Sequence, residues 1–329
     1  MSTTEQSKLG HLYRLLTGAA LLLLIFAYFS PIWWVSLKAP QYPDTAFPQG
    51  IRIHFHMDGV FNGCQLIESA EKQEDEVLNC KHEMDAINHF VGMYPIAAGG
   101  PVERAYSPFL FSLLGVMLVA FMIPGRRTRL IVFSAGCVGI AAWMTVAMHT
   151  SDGVKLLSPN YVSDFVGTMD LEPEDYAGWS GLQSIHESYT EALGRYFRDP
   201  AQINPRIDLM MTWANVIYWA ILAAMAAFAA GLWLIRPVYW LLALIPAALP
   251  VFFVIEYASW LWWFGHSLSE MGAFSIKPFM PTVFGQGKVA QFSTHSYPHY
   301  GYGLIAVQGL VMLLAMLLRR KQLKESEDS

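Results

Sequence analysis

The sequence of 329 residues is short of charge. Only 14% of its residues are Asp, Glu, Lys or Arg, whereas soluble domains carry about 25%, and 54% are hydrophobic. This shortage argues against a disordered chain and against an ordinary cytosolic enzyme. The net charge of −5 provides no basic excess for phosphate contacts, so a nucleic-acid-binding protein is excluded as well.

The sequence also lacks the common motifs of nucleotide-binding enzymes. It contains no P-loop, no Gly-x-Gly-x-x-Gly segment, no internal repeat and no low-complexity tract. No arrangement of residues identifies a catalytic centre. A non-enzymatic role is therefore favoured over an enzymatic one.

In place of these motifs, the chain has six long apolar segments. A membrane-spanning helix needs about 20 predominantly apolar residues, and eleven Trp are available as interfacial anchors. We predict an all-α membrane protein, with the lipid bilayer as its first partner. Six transmembrane helices would carry a small mixed α/β cap built from three outer loops. The predicted helices cover residues 15–37, 108–123, 130–148, 209–235, 238–264 and 302–318.

The distribution of basic residues predicts the orientation. Ten of the 21 Lys and Arg residues lie in the terminal tails, 1–14 and 319–329, and in two short turns. The positive-inside rule then places both termini in the cytoplasm of a bacterial inner membrane. The long loops 38–107, 150–208 and 265–301 would face the periplasm. Nine of the ten His lie in these loops or at the span ends next to them.

The first outer loop contains a segment that could hold a metal ion. Residues 51–58 alternate between apolar and polar side chains, which predicts a β-strand. His54 and His56 would share its polar face, and imidazole is the commonest metal ligand. The alternative is an ordinary two-faced strand with solvated histidines.

The same loop continues into a segment rich in His and Met. Residues 79–93 predict a helix, joined to the strand by the acidic segment 68–76. Thioether and imidazole ligands together favour copper over zinc or magnesium. The predicted copper ligands are His54, His56, His82, His89, Met84 and Met93. Met more often fills a core than binds a metal, so a purely structural helix is the alternative.

Two of the three Cys residues, Cys64 and Cys80, lie in this first outer loop. Because the periplasm is oxidising, they are predicted to form a disulfide. Closure of so short a loop would stabilise the fold by about 3 kcal/mol. If the thiols were free, Cys80 would become a further possible copper ligand. Cys137 lies inside a predicted span and is expected to be an inert small hydrophobe.

A second group of histidines lies close to the outer membrane surface. Its members are His149, His266, His295 and His299. At one membrane depth they could hold a metal ion or a haem, or they could be separate interfacial side chains. Glu256 is the only acid inside a predicted span. Intramembrane acids are costly and usually functional, although Glu256 could instead reach water near the outer end of its span.

Three stretches resemble a poorly characterised family of bacterial polytopic membrane proteins. They are residues 33–51, the segment Ile87-Asn-His-Phe-Val-Gly-Met93, and residues 277–292. The second contains the family's Asn-His-aromatic-aliphatic-Gly-Met motif, with Phe90-Val91 where the family has Tyr-Ile. The family is associated with gene clusters for nitrous oxide reductase and copper delivery. The resemblance implies a periplasm-facing accessory or maturation role without a catalytic residue.

The leading hypothesis is an inner-membrane accessory protein that handles copper for, or docks, a periplasmic cuproenzyme of the nitrous oxide reductase type. Its partner would be that enzyme or a copper chaperone. One alternative is a redox subunit that passes electrons from quinol to a periplasmic acceptor, with Glu256 taking protons and haem as a further cofactor. A transporter is disfavoured because no inverted repeat is visible. A structural membrane anchor for a periplasmic partner is the remaining alternative.

Overall fold

A computed structural model of the chain describes residues 3–64, 79–95, 100–289 and 291–327. The described part is mostly helical, with one antiparallel sheet. The acidic segment 68–76, which was expected to join the two copper-binding elements, lies outside the described residues.

Apolar helices dominate the fold. Five are long and apolar enough to cross a membrane: α1 (Thr3–Tyr28), α3 (Pro101–Met122), α4 (Arg126–His149), α7 (Pro200–Leu234) and α10 (Tyr300–Glu327). The predicted span 238–264 is broken into two helices, α8 (Leu241–Ala247) and α9 (Leu249–His266), with a bend of 60°. Pro246 and Pro250 flank the break, and a proline disrupts the backbone hydrogen bonds of the preceding turn. Together the helices agree with a membrane protein that has a small α/β part.

The helix boundaries correct several predicted spans. α1 ends at Tyr28 rather than at residue 37, because Pro31 cannot continue the helix. Trp33 and Trp34, which the predicted span 15–37 included, instead begin strand β1 (Trp33–Lys38). The helices α3 and α7 begin earlier than predicted, each with Pro in the first turn, where its missing N–H has no cost.

Strand β1 is the centre of a five-stranded antiparallel sheet in the order β3-β2-β1-β5-β4. The other strands are β2 (Ile51–His56), β3 (Gly59–Asn62), β4 (Gly285–Val289) and β5 (Phe292–Pro298). Trp34 pairs with His54 on one side and with Tyr297 on the other. The sheet therefore joins the first and third outer loops, which are more than 200 residues apart in sequence.

Helix α2 (Cys80–Phe90) covers part of this sheet. Its residues Met84 and Ile87 pack against Ile51 and Ile53 of β2 in one hydrophobic cluster. The predicted disulfide between Cys64 and Cys80 is present and links the chain after β3 to the start of α2, with a Cα–Cα distance of 5.9 Å. The strand and the helix predicted for the first outer loop are both confirmed.

The second outer loop forms α5 (Pro159–Met169) and α6 (Gly181–Tyr196). A buried ion network ties α5 to its neighbours. Asp164 of α5 accepts hydrogen bonds from Lys81 of α2 and Arg104 of α3, and the three side chains are 5–13% exposed. Removing one member would leave an uncompensated buried charge, so the network fixes the position of α2 relative to α3.

The helix ends distant from the sheet form a basic end of the bundle. Three hydrogen bonds join them: Tyr13 Oη to Met122 O (3.2 Å), Arg126 Nη2 to Trp233 O (2.8 Å) and Arg319 Nε to Tyr239 Oη (3.3 Å). The short turns rich in Lys and Arg thus lie at one end of the molecule, and the sheet with its disulfide lies at the other.

Candidate metal-binding face of the sheet

The alternation of side chains gives the sheet two different faces. The inner face carries Trp33, Val35, Ile51, Ile53 and Phe55, which are packed against α2 and α9. The outer face carries Trp34, Arg52, His54, His56 and Tyr297, all partly exposed.

A hydrogen-bonded anchor holds the inner face in place. Trp33 Nε1 donates to Ser296 Oγ over 2.8 Å, and Ser296 Oγ donates to the carbonyl of Val283 over 2.8 Å. Tyr257 of α9 packs its ring against Trp33 at 5.6 Å between centroids. Because the inner face is fixed in this way, the positions of the outer-face residues are fixed by the same strands.

Two histidine rings meet on the outer face. The centroids of His54 and His299 lie 5.2 Å apart, although the two residues belonged to separate predicted metal sets. Their contact follows from strand pairing, because β1 lies between β2 and β5 and His299 comes directly after β5. Its backbone N–H donates to Ile32 O over 2.9 Å, which holds the segment beside the sheet.

The ring nitrogens of this cluster differ in their availability. His54 Nε2 and His56 Nδ1 are shielded from solvent and have no hydrogen-bond partner within the described residues. His299 Nδ1, in contrast, accepts a hydrogen bond from the backbone N–H of Tyr300 over 2.9 Å. His54 and His56 thus offer free lone pairs or N–H groups, whereas His299 would have to give up a bond to bind through Nδ1.

The environment keeps these histidines neutral. Burial lowers the pKa of His54 to about 4, assisted by the positive charge of Arg52 and by His299. Burial also lowers the pKa of His56 to about 4, assisted by His54 and His299. A metal binds the neutral imidazole, so near neutral pH both rings are in the form that binds.

Arg52 is held over the ring of Trp34. Its guanidinium carbon lies 4.2 Å from the ring centroid, and Nη1 donates to Gln49 Oε1 over 2.6 Å. This cation–π contact fixes a positive charge on the outer face.

The remaining ligands predicted from the first outer loop lie elsewhere. Helix α2 packs on the sheet through its apolar side, so its polar side faces α6 and not the histidines of β2. His82 Nδ1 is hydrogen-bonded to Tyr196 Oη over 2.9 Å, and the His89 ring packs against Phe197 at 4.9 Å. Met84 and Met93 are buried. The expected convergence of the two polar faces is therefore wrong.

The second predicted histidine set is dispersed as well. The His149 ring packs against Tyr218 at 4.7 Å, and His266 Nδ1 donates to Trp262 O over 2.8 Å. His295 lies within β5, paired with Ser36 of β1. Across residues 3–64, 79–95, 100–289 and 291–327, no three His, Cys, Asp or Glu side chains are arranged to hold a metal ion. The described chain thus offers neighbouring imidazoles rather than a closed metal site.

Glu256 has a neighbour that the sequence did not indicate. Glu256 of α9 and Glu103 of α3 line the same two cavities. Glu103 precedes the predicted second span, and only the extension of α3 to Pro101 brings it to this position.

No protein-family model, curated protein or solved structure matches this chain. The family resemblance described above stays a prediction.

Proposed function

We propose that this chain is a bacterial inner-membrane accessory protein that handles copper for a periplasmic cuproenzyme of the nitrous oxide reductase type. The observation that carries the proposal is the outer-face cluster of His54, His56 and His299. The ring centroids of His54 and His299 are 5.2 Å apart. This spacing is compatible with metal–nitrogen bonds of about 2.0 Å from both rings to one shared ion.

The orientation proposed for the protein places this cluster in the periplasm. The Lys- and Arg-rich helix ends lie opposite the sheet, which supports cytoplasmic termini by the positive-inside rule. The Cys64–Cys80 disulfide lies at the sheet end, and disulfides persist in oxidising compartments. These two arguments are independent, and both support a periplasmic sheet.

The incomplete ligand set supports transfer rather than storage of the metal. A structural metal site is closed by four protein ligands, whereas on this face two imidazoles, those of His54 and His299, lie in contact. An ion bound here would keep open coordination positions, through which a periplasmic enzyme or chaperone could take it. Imidazole suits copper as a ligand, and the neutral state of His54 and His56 requires no proton release before binding.

The test is a Cu(I) competition titration of the full-length protein in detergent. A chromogenic chelator competes for the metal, with ascorbate as the reductant. The wild-type protein is expected to take up about one Cu(I), and His54→Ala together with His56→Ala is expected to abolish this uptake. His186→Ala is the matched control, because His186 is exposed on α6 and contacts Glu187.

Three results would contradict the proposal. The wild-type protein could fail to compete for Cu(I), the control could lose uptake equally, or the double variant could retain it. In each case the chain would be assigned as a structural anchor for a periplasmic partner. A parallel measurement of copper in the partner enzyme from cells carrying each variant would separate copper delivery from simple docking.

A further inference from the structure

A membrane-facing cavity between α3, α6, α7 and α9 has no role in the copper proposal. It is open on one side and has a volume of about 400 Å³, within the size range of small-molecule sites. Its walls are mostly apolar and aromatic, and two carboxylates, Glu103 and Glu256, face into it. The aromatic and aliphatic wall residues include Tyr189, Leu209, Met210, Trp213, Trp260 and Trp263.

One of the two carboxylates has an atom without a partner. Glu103 Oε2 is shielded from solvent and accepts no hydrogen bond within the described residues. A buried polar atom without a hydrogen bond is costly, and native structures contain few of them. Glu256 approaches the same space from α9. A positively charged or hydrogen-bond-donating group between these two acidic side chains would stabilise them in the apolar cavity.

A positively charged side chain lies beside this cavity. Arg206 of α7 lines an adjoining cavity, and its guanidinium carbon lies 4.7 Å from the ring centroid of Tyr94. Within the described residues no carboxylate forms an ion pair with Arg206. The two cavities share Tyr189, Met210, Trp260 and Trp263 as lining residues. The two cavities are therefore continuous, with the carboxylates Glu103 and Glu256 in one and the guanidinium of Arg206 in the other.

The position of the cavity matches the headgroup level of a bilayer. Glu103 lies in the first turn of α3, and Arg206 lies near the start of α7, at the helix ends close to the sheet. Below them, Leu209 and Trp213 of α7 are 44% and 53% exposed, so the cavity mouth is apolar toward the lipid. Trp side chains are enriched at this level because one edge of the ring is polar.

We propose that this cavity binds a zwitterionic aminophospholipid. The primary ammonium group would lie between Glu103 and Glu256, where Trp260 adds a cation–π contact. The phosphate would accept hydrogen bonds from Arg206, and the acyl chains would leave along α7. Neither an anionic lipid nor a neutral hydroquinone uses both the acidic pair and the arginine. This inference does not depend on copper binding.

Native mass spectrometry of the detergent-purified protein tests the proposal. Phosphatidylethanolamine, phosphatidylglycerol and a short-chain hydroquinone are each titrated into delipidated protein. The wild type is expected to bind phosphatidylethanolamine at least about tenfold more tightly than either of the other two ligands, since a hydrogen bond to a charged group contributes binding energy of that order. Glu103→Gln combined with Glu256→Gln should remove this preference.

The arginine end is tested separately. Arg206→Gln should weaken binding of phosphatidylethanolamine about tenfold, and Arg206→Lys should restore most of it because the charge is kept. Glu270→Gln and Arg198→Gln are matched controls, because both residues are exposed and lie outside the cavity linings. Each variant is accepted only if its elution volume and unfolding temperature match those of the wild type.

Several outcomes would overturn the assignment. Equal retention of phosphatidylethanolamine by wild type and both sets of cavity variants would show that the cavity does not select this headgroup. Stronger binding of phosphatidylglycerol would remove the role of the acidic pair. Preferential binding of the hydroquinone, lost in the Glu→Gln variant, would reassign the cavity to a quinol and support the redox alternative.

Discussion

The two faces of the sheet are formed by the same strands but differ in chemistry. On the inner face, Trp33 is 3% exposed and Ile53 is 1% exposed. On the outer face, the adjacent residues Trp34 and His54 are partly exposed. Neighbouring residues of one strand therefore differ in role, because one packs in the core and the next can contact a ligand. Stability is therefore concentrated on the inner face, whereas the outer face is free to carry function.

The largest effect is expected from the matched pair Trp33→Ala and Trp34→Ala. Trp33→Ala should lower the free energy of unfolding by about 3–5 kcal/mol, because it leaves a cavity in a packed core. It also removes the hydrogen bond to Ser296. Trp34→Ala should cost about 1 kcal/mol, since its ring is already partly solvated. Denaturant unfolding in detergent measures both, and equal losses would contradict the distinction between the two faces.

Removal of the disulfide should have the next largest effect. The bridge between Cys64 and Cys80 holds α2 against the inner face. Cys64→Ser combined with Cys80→Ser should lower the free energy of unfolding by about 3 kcal/mol, because the unfolded chain regains the entropy that loop closure removes. Reductant should lower the unfolding midpoint of the wild type and leave that of the double variant unchanged. Cys137→Ala is the control, because Cys137 is free and buried. A wild type that is indifferent to reductant would argue against the bridge.

The sequence predicted those features that depend on local periodicity. Apolar runs located the long helices, and the alternation in residues 51–58 located β2. The same reading failed at Trp33, because an apolar run after Pro31 has the same composition whether it continues a helix or starts a buried strand. Only the pairing of β1 with both β2 and β5 resolves this ambiguity.

The histidine cluster could not be predicted for a related reason. His54 and His299 meet because β5 pairs with β1 across more than 200 residues of sequence. No local spacing rule reports such a contact. His82 and His89 of α2 both lie against Tyr196 of α6, a contact that the sequence did not show. The polar residues of a half-buried helix are compatible with several neighbours, so the sequence underdetermines the site.

A smaller effect is expected from acid on the outer face of the metal-free protein. The folded-state pKa of His54 and of His56 is about 4, below the ordinary value of 6.5. Between pH 6.5 and 4 the unfolded chain therefore binds more protons than the folded protein, and stability falls as the pH is lowered through this window. Above pH 6.5 the two groups contribute no pH dependence. The loss should be smaller than the two effects above, because both rings are partly exposed and solvent screens their charges.

Unfolding temperatures measured from pH 7.5 to 4 test this expectation. Replacing His54 and His56 together by Gln should flatten the profile between pH 6.5 and 4. His186→Gln, at an exposed position on α6, should leave the profile of the wild type unchanged. A double variant with an unaltered profile would mean that other groups control the acid sensitivity.

The smallest effect is expected at Arg52, whose guanidinium lies 4.2 Å from the centroid of the Trp34 ring. An exposed cation–π contact is worth about 0.5–1 kcal/mol, so Arg52→Gln should lower the free energy of unfolding by that amount. A double-mutant cycle with Trp34→Ala should give a coupling energy of the same size.

The positive charge of Arg52 also contributes to the low pKa of His54. Arg52→Gln should therefore raise the pKa of His54. The pH range over which stability falls would then end at a higher pH than in the wild type. A cycle with no coupling energy, or an unchanged window, would show that Arg52 neither packs on Trp34 nor acts on the histidine cluster.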